Sequence, residues 1–227
     1  MARKNWRSLA FLIVILGSIQ FIILTFIAMF FYKGGTYIDP STSQYIFWHN
    51  YFSDLGRYIS HSGISNRISF ILFTITLALW GLSQIPFFIT FPYFFTNSKK
   101  LKSLSIAGSI FGILMGVFYV GIAFNPSDLM NNLHNLFVVF GFGSGFVCII
   151  LYSAVIYKDS NYPNFYAKIF VISAIILSLY FITLGLIQNI NIAMRLVLSV
   201  IGQKIMIYSL LICGIIQGYG ALKQLKC

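Results

Sequence analysis

The sequence predicts an all-α fold: a polytopic membrane bundle of six transmembrane helices, both termini cytoplasmic, with a short amphipathic helix on the outer side. Three observations predict it. The chain of 227 residues is 59% hydrophobic and 8% charged, whereas soluble domains carry about a quarter charged residues. So much apolar surface cannot be buried in a water-soluble globule of this length, so the solvent is lipid. Six apolar runs reach the length of about twenty residues that a spanning helix needs: 9–32, 68–91, 104–124, 133–157, 169–188 and 196–222. Finally, with the N-terminus inside, ten of the fifteen Lys and Arg fall in inner loops and tails; Lys33, Arg57, Arg67, Arg195 and Lys204 are the other five. That bias orients the bundle. A single membrane domain, residues 1–227, is expected.

The same spread explains the net charge of +11. The basic residues sit in short loops rather than on one stripe, which argues against nucleic acid and for membrane topology. Cys148, Cys213 and Cys227 have no metal or disulfide-framework spacing. The acids run the other way from the bases. Asp39, Asp54 and Asp128 fall outside, as do His49, His61 and His134, while Asp159 falls inside. Acids do not set topology, so the asymmetry reflects either longer outer loops or an exofacial polar site.

The first run follows a basic start, Met1–Arg7. It exceeds twenty residues and lacks a small-x-small cleavage site, so it is expected to be an uncleaved anchor. The stretch 44–62 then carries two stripes at helical spacing. Trp48, Tyr51, Phe52, Leu55, Tyr58 and Ile59 form one; Asn50, Ser53, Asp54, Arg57, Ser60 and His61 repeat it two residues later. This pattern predicts a two-faced outer helix. It either lies in the interface, with Asp54 and Arg57 a surface pair, or folds its polar face over the bundle mouth. Gly56 marks a close contact or a break in it.

In the second run Pro86 is expected to bend the helix and Pro92 to end it. The Phe and Tyr residues at 87–95 suit an interfacial belt. Gly108, Gly112 and Gly116, then Gly141 and Gly145, then Gly214 and Gly218 sit four apart, the spacing that lets membrane helices approach closely. Between the third and fourth runs, Pro126, Ser127 and Asp128 suit the start and cap of a helix. In the last run Arg195, Ser199 and Gln203 share a face, and Lys204 lies deeper. An ionisable group at that depth is by default a functional candidate, either paired with Asp54 or Asp128 or reaching a pocket. Gln20, Gln84, Gln188, Gln203 and Gln217 are expected to hydrogen-bond between helices.

The chemistry open to these groups is limited. His49, His61, His134, Asp54 and Asp128 are enough ligands for zinc, but no HxxxH or HExxH pair fixes two on one helical face. No cofactor is therefore predicted, and zinc is not excluded. An Asp–His acid–base pair, or a Ser–His–Asp arrangement using Ser53 or Ser127, is conceivable without a supporting motif.

The segment Asn50-Tyr51-Phe52-Ser53-Asp54-Leu55-Gly56 resembles the S-D-L-G signature of a prokaryotic six-helix membrane family, domain of unknown function 998. Gly121 to Asp128 followed by His134, and Arg195 followed by Gln203-Lys204, are similar to its other two hallmarks. The resemblance implies six helices in a prokaryotic plasma membrane. It groups Ser53, Asp54, Asp128, His134, Arg195 and Lys204 as one polar set. It also implies a distant kinship to DRAM/Sfk-type membrane proteins, some linked to lipid handling. It carries no established reaction, and His49 and His61 are not part of its pattern.

The reading that results is an integral membrane protein with an exofacial polar pocket that binds or acts on a lipid headgroup. Asp54, Asp128 and His134 are the candidate acid–base residues. Ser53, Arg57, Arg195, Gln203 and Lys204 are the candidate binding residues. Membrane lipids are the expected partners, and nothing in the sequence points to a particular protein partner or oligomer. The first alternative is a non-catalytic scaffold or regulator in which the same groups form a structural ion-pair network. The second is a small transporter, which lacks evident repeats or broken helices.

Overall fold

A computed structural model describes residues 2–225, with side chains from Asn5 onward. It is all-helical apart from its connections. Six long helices, α1 (Ala2–Phe31), α2 (Arg67–Thr90), α3 (Lys99–Phe124), α4 (Asn131–Lys158), α5 (Asn164–Leu186) and α6 (Ile192–Gln224), form the bundle. All six are long and apolar enough to cross a membrane. Each packs against its neighbour in sequence, and α6 returns to pack against α1. The bundle is therefore a closed ring of six helices.

Lipid tails are as apolar as Leu, so packing rather than hydrophobic exclusion holds such helices together. Small residues sit at the seams accordingly. A Cβ on Gly81 of α2 would lie 2.6 Å from the Gly116 carbonyl of α3, and one on Gly116 would lie 2.5 Å from that of Gly81. Gly108 faces Tyr152 and Gly145 faces Met115 across α3 and α4. Gly218 of α6 rests on Val14, Ile15 and the Phe11 carbonyl of α1. Buried hydrogen bonds add to the seams. Gln20 Nε2 donates to the Thr76 carbonyl (2.9 Å) and Gln217 Nε2 to the Tyr166 carbonyl (2.8 Å). Gln84 and Gln188 instead bond within their own helices, so they do not link neighbours as expected.

The Phe and Tyr residues at 87–95 do not form an interfacial belt. Phe87, Phe88, Phe91 and Phe95 are buried, and Tyr93 alone of the cluster is well exposed, under the Arg7 guanidinium. Phe91 packs on Tyr152 (4.8 Å between centroids) and Tyr162 (5.8 Å), closing the end of the ring that carries Lys99 and Lys158. Helix α2 runs on through Pro86 and passes into a 3-10 turn, Phe91–Phe94, that begins next to Pro92.

The largest departure from expectation is the segment between α1 and α2. No helix forms over 44–62; the helical part is a single 3-10 turn, Ser53–Gly56. The segment is a folded lid at the end of the ring away from the termini. Asn and Asp side chains there bond to nearby backbone groups, and such bonds compete with helix formation. Gly34 and Gly35 adopt φ of 83° and 79°, and their Cβ positions would strike the backbone of Thr42 and Ser62. Gly56 marks a close contact, since a Cβ there would meet the Phe73 ring at 2.5 Å. The two stripes do not become two faces: Phe52 and Leu55 are buried, while Trp48 and Tyr58 are exposed.

Candidate functional site

The polar residues of the lid end fall into three groups. The first is centred on Asn50, which is fully buried. Its Oδ1 accepts from the Ile46 N–H (2.9 Å), and its Nδ2 donates to the Gly35 carbonyl (2.9 Å) and to Asp54 Oδ2 (3.0 Å). Asp54 Oδ2 also accepts from the Tyr51 N–H (2.9 Å), and Oδ1 lies 3.2 Å from His61 Nε2. His61–Asp54 is the one ion-pair contact among the described residues.

Lys204 reaches the same group from α6. Its ammonium donates to the Asn50 carbonyl at 2.5 Å and lies 4.8, 5.1 and 5.4 Å from the ring centroids of Phe47, Phe52 and Tyr45. Carbonyl and ring faces replace the carboxylate expected for it. Asn50 therefore stands between the two charges, its amide on Asp54 and its carbonyl on Lys204. The Tyr45 hydroxyl donates to the carbonyls of Asn50 (2.9 Å) and Tyr51 (3.0 Å). Burial, and then the Asp54 charge, push the Tyr45 phenol well above its ordinary range, so it stays protonated.

Asp128 is the second group. It caps neither α4, whose N-cap is Met130, nor any other helix. Oδ1 accepts from the Tyr58 N–H (3.1 Å) and Oδ2 from the Ile59 N–H (2.8 Å), which fastens the α3–α4 turn to the lid. Arg57 makes no pair with Asp54; its Nε donates to the Ile59 carbonyl (3.1 Å). Asn66, buried, ties the lid's exit through the Leu55 and Arg57 carbonyls.

The third group lines open space. Tyr37, Tyr51, Gln188, Arg195 and Ser199, with Leu184 beneath, surround a mouth pocket of about 240 Å³. The Tyr51 hydroxyl is hydrogen-bonded to that of Ser199, and Arg195 Nη1 donates to the Gln188 carbonyl (3.3 Å). No acid lines this pocket. Leu184 also walls a second cavity of about 110 Å³, which Ser53, His134 and Gln203 share with Phe21, Trp80, Tyr119 and Met206. His134 is buried there, its Nδ1 2.8 Å from the Asn125 carbonyl. Gln203 Oε1 accepts from the Phe52 N–H (2.9 Å), holding the lid over this cavity.

The expected polar set is thus divided. Asp54 with Lys204 lies inside the lid and Asp128 on its rim; neither acid lines the two open spaces, which Ser53, His134, Gln203 and Arg195 do. No hydrogen bond joins Ser53 or Ser127 to His134, or His134 to either acid. Among the described residues, no three His, Cys, Asp and Glu side chains come within reach of a common ion; His49, His61 and His134 remain apart. From the sequence, Asn66 carries no expected role, Asn50 belongs only to a stripe, and Tyr45 suits only an interfacial belt. For Asn66 the available signal was an Asn following the turn-forming Gly63 and Ser65; Asn50 and Tyr45 carry no such signal.

No protein-family model, curated protein or solved structure matches this chain.

Proposed function

We propose that this multi-pass membrane protein binds an anionic amphiphile from the lid side, its head at Arg195 and its apolar part directed into the cavity below. The observation that carries the reading is the stacking of two unlike spaces on one shared wall, Leu184. Above it, a guanidinium and the hydroxyls of Tyr51 and Ser199 line a mouth without carboxylates. Below it, the walls are largely Phe, Leu, Met, Trp and Tyr. A few convergent polar groups over an apolar floor is the common composition of a ligand site, and Arg suits phosphate or carboxylate through paired N–H donors.

The lid faces outward and both termini face the cytoplasm in this proposal, because most Lys and Arg fall at the opposite end. A prokaryotic plasma membrane rests on the resemblance to the domain of unknown function 998 family. The function is binding; no reaction is assigned.

The test is a thermal-shift series in mild detergent with dodecyl phosphate and the cationic dodecyltrimethylammonium. Dodecyl phosphate is expected to raise the melting temperature of the native chain, the cation is not, and Arg195→Gln is expected to remove the shift. Equal shifts from both amphiphiles, or an unchanged response in Arg195→Gln, would remove this reading.

A second reading keeps the lid groups structural and the protein a scaffold. It is favoured by the oxygens of Asp54 and Asp128, all engaged within the lid. It expects Asp128→Asn to lower stability, no amphiphile to bind in the mouth, and Arg195→Gln to be without consequence.

A further inference from the structure

A further open space lies on the outer wall of the ring and shares no lining residue with the mouth pocket. Between α4 and α5, at the end away from the lid, lies an open groove of about 620 Å³. Its floor is Ile150, Ala154, Val171 and Ile172, and its rim carries Lys158 and Lys168. Both lysines are exposed, and neither ammonium has a hydrogen-bond or ion-pair partner among the described residues. The nearest acid in sequence does not neutralise them. Asp159 is buried, 4% exposed, and its Oδ1 is turned onto the N–H groups of Asn161 (2.9 Å) and Tyr162 (3.2 Å).

A hydrocarbon-lined slot that ends in two free ammonium groups complements one kind of neighbour. We infer that the α4–α5 groove holds an anionic phospholipid, an acyl chain along Ala154 and Val171 and the phosphate at Lys158 and Lys168. Any bilayer lipid can cover the apolar floor; the paired charges select an anionic headgroup, as basic pockets between membrane helices do. Tyr157, 71% exposed beside the rim, is placed for the headgroup level where Tyr is favoured.

The test is native mass spectrometry of the full chain released from mixed micelles of phosphatidylglycerol and phosphatidylcholine. The native chain is expected to retain phosphatidylglycerol in preference. The pair Lys158→Gln and Lys168→Gln is expected to lose that preference by at least about tenfold, the scale of two lysines near an anionic lipid. Both side chains are exposed, so the variant keeps its fold. Ala154→Phe fills the slot without altering charge and is expected to lose the lipid too. Lys99→Gln with Lys100→Gln, at the same end but outside the groove, is expected to change nothing. Retention of phosphatidylglycerol by the Lys158/Lys168 variant overturns the proposal. So does its retention by Ala154→Phe, which would mean general surface attraction, or equal loss in the Lys99/Lys100 control.

Discussion

Asn50 makes six polar contacts from a fully buried position, and two of them connect buried charges: its amide meets Asp54 and its carbonyl meets Lys204. The two charges are not equivalent. Removing Asp54 strands the Tyr51 N–H and one of the two Asn50 amide hydrogens, and leaves Lys204 without a nearby counter-charge. Asp54→Ala is therefore expected to destabilise by about 3 kcal/mol, read as a clear fall in melting temperature in detergent. Lys204→Met leaves the Asn50 carbonyl still bonded to the Tyr45 hydroxyl. Met also fills the space among Phe47, Phe52 and Tyr45. That change is expected to cost clearly less than Asp54→Ala, because the Asp54 carboxylate that remains keeps His61 and the Tyr51 N–H as partners. A fall as large as that of Asp54→Ala would show that the ring faces and carbonyl hold the ammonium more strongly than argued. At this scale the sequence singles out the ionisable residues of an apolar chain and not how they pair. Asp54, Asp128, His134, Arg195 and Lys204 stand out because an ionisable group in an apolar chain needs a reason. Their partners are largely backbone groups, and a sequence carries no mark of which carbonyl or N–H a chain turn presents.

Among the elements, the six helices were readable to within a few residues at most ends because lipid demands long unbroken apolar runs. The lid was not. Its polar residues recur at helical intervals, yet Ser, Asn and Asp serve turns as readily, and the positive-φ glycines at 34, 35 and 63 fix the loop instead. Asp128 is the element's fastening. Asp128→Ala is expected to expose the Tyr58 and Ile59 amides to hydrogen exchange while the helical amides keep their protection; unchanged exchange at both would show that Asp128 is dispensable. The glycine spacing, by contrast, located real seams. Gly116→Ala must push α2 from α3, because its Cβ would meet backbone and not a flexible side chain. Its melting temperature should drop sharply. Gly143→Ala, with nothing within 4 Å of its Cβ, should be neutral or gain up to about 1 kcal/mol of helix propensity.

For the whole molecule, closure of α6 onto α1 makes the ring, and six spans put both termini on one side. The side itself is the testable part. Cysteine placed at Lys33 is expected to react with an impermeant maleimide in intact cells, and cysteine at Lys100 only after lysis; the reverse pattern would invert the orientation. From α2 onward the connections are short and keep chain neighbours adjacent, while the return of α6 onto α1 has no mark in the sequence. The spaces inside the ring have none either, because cavity walls such as Leu184 and Trp80 look like any other core residue in a sequence.

The Asp128 carboxylate has a mechanical meaning beyond stability. It belongs to the hairpin of α3 and α4, yet it grips the backbone of the lid at Tyr58 and Ile59. The lid edge and that hairpin are therefore clasped together by one carboxylate. Lifting the lid edge must either break two charge-assisted hydrogen bonds or drag the tip of the hairpin with it. In the second case the pull would pass into α3 and α4, whose other ends carry Lys99 and Lys158.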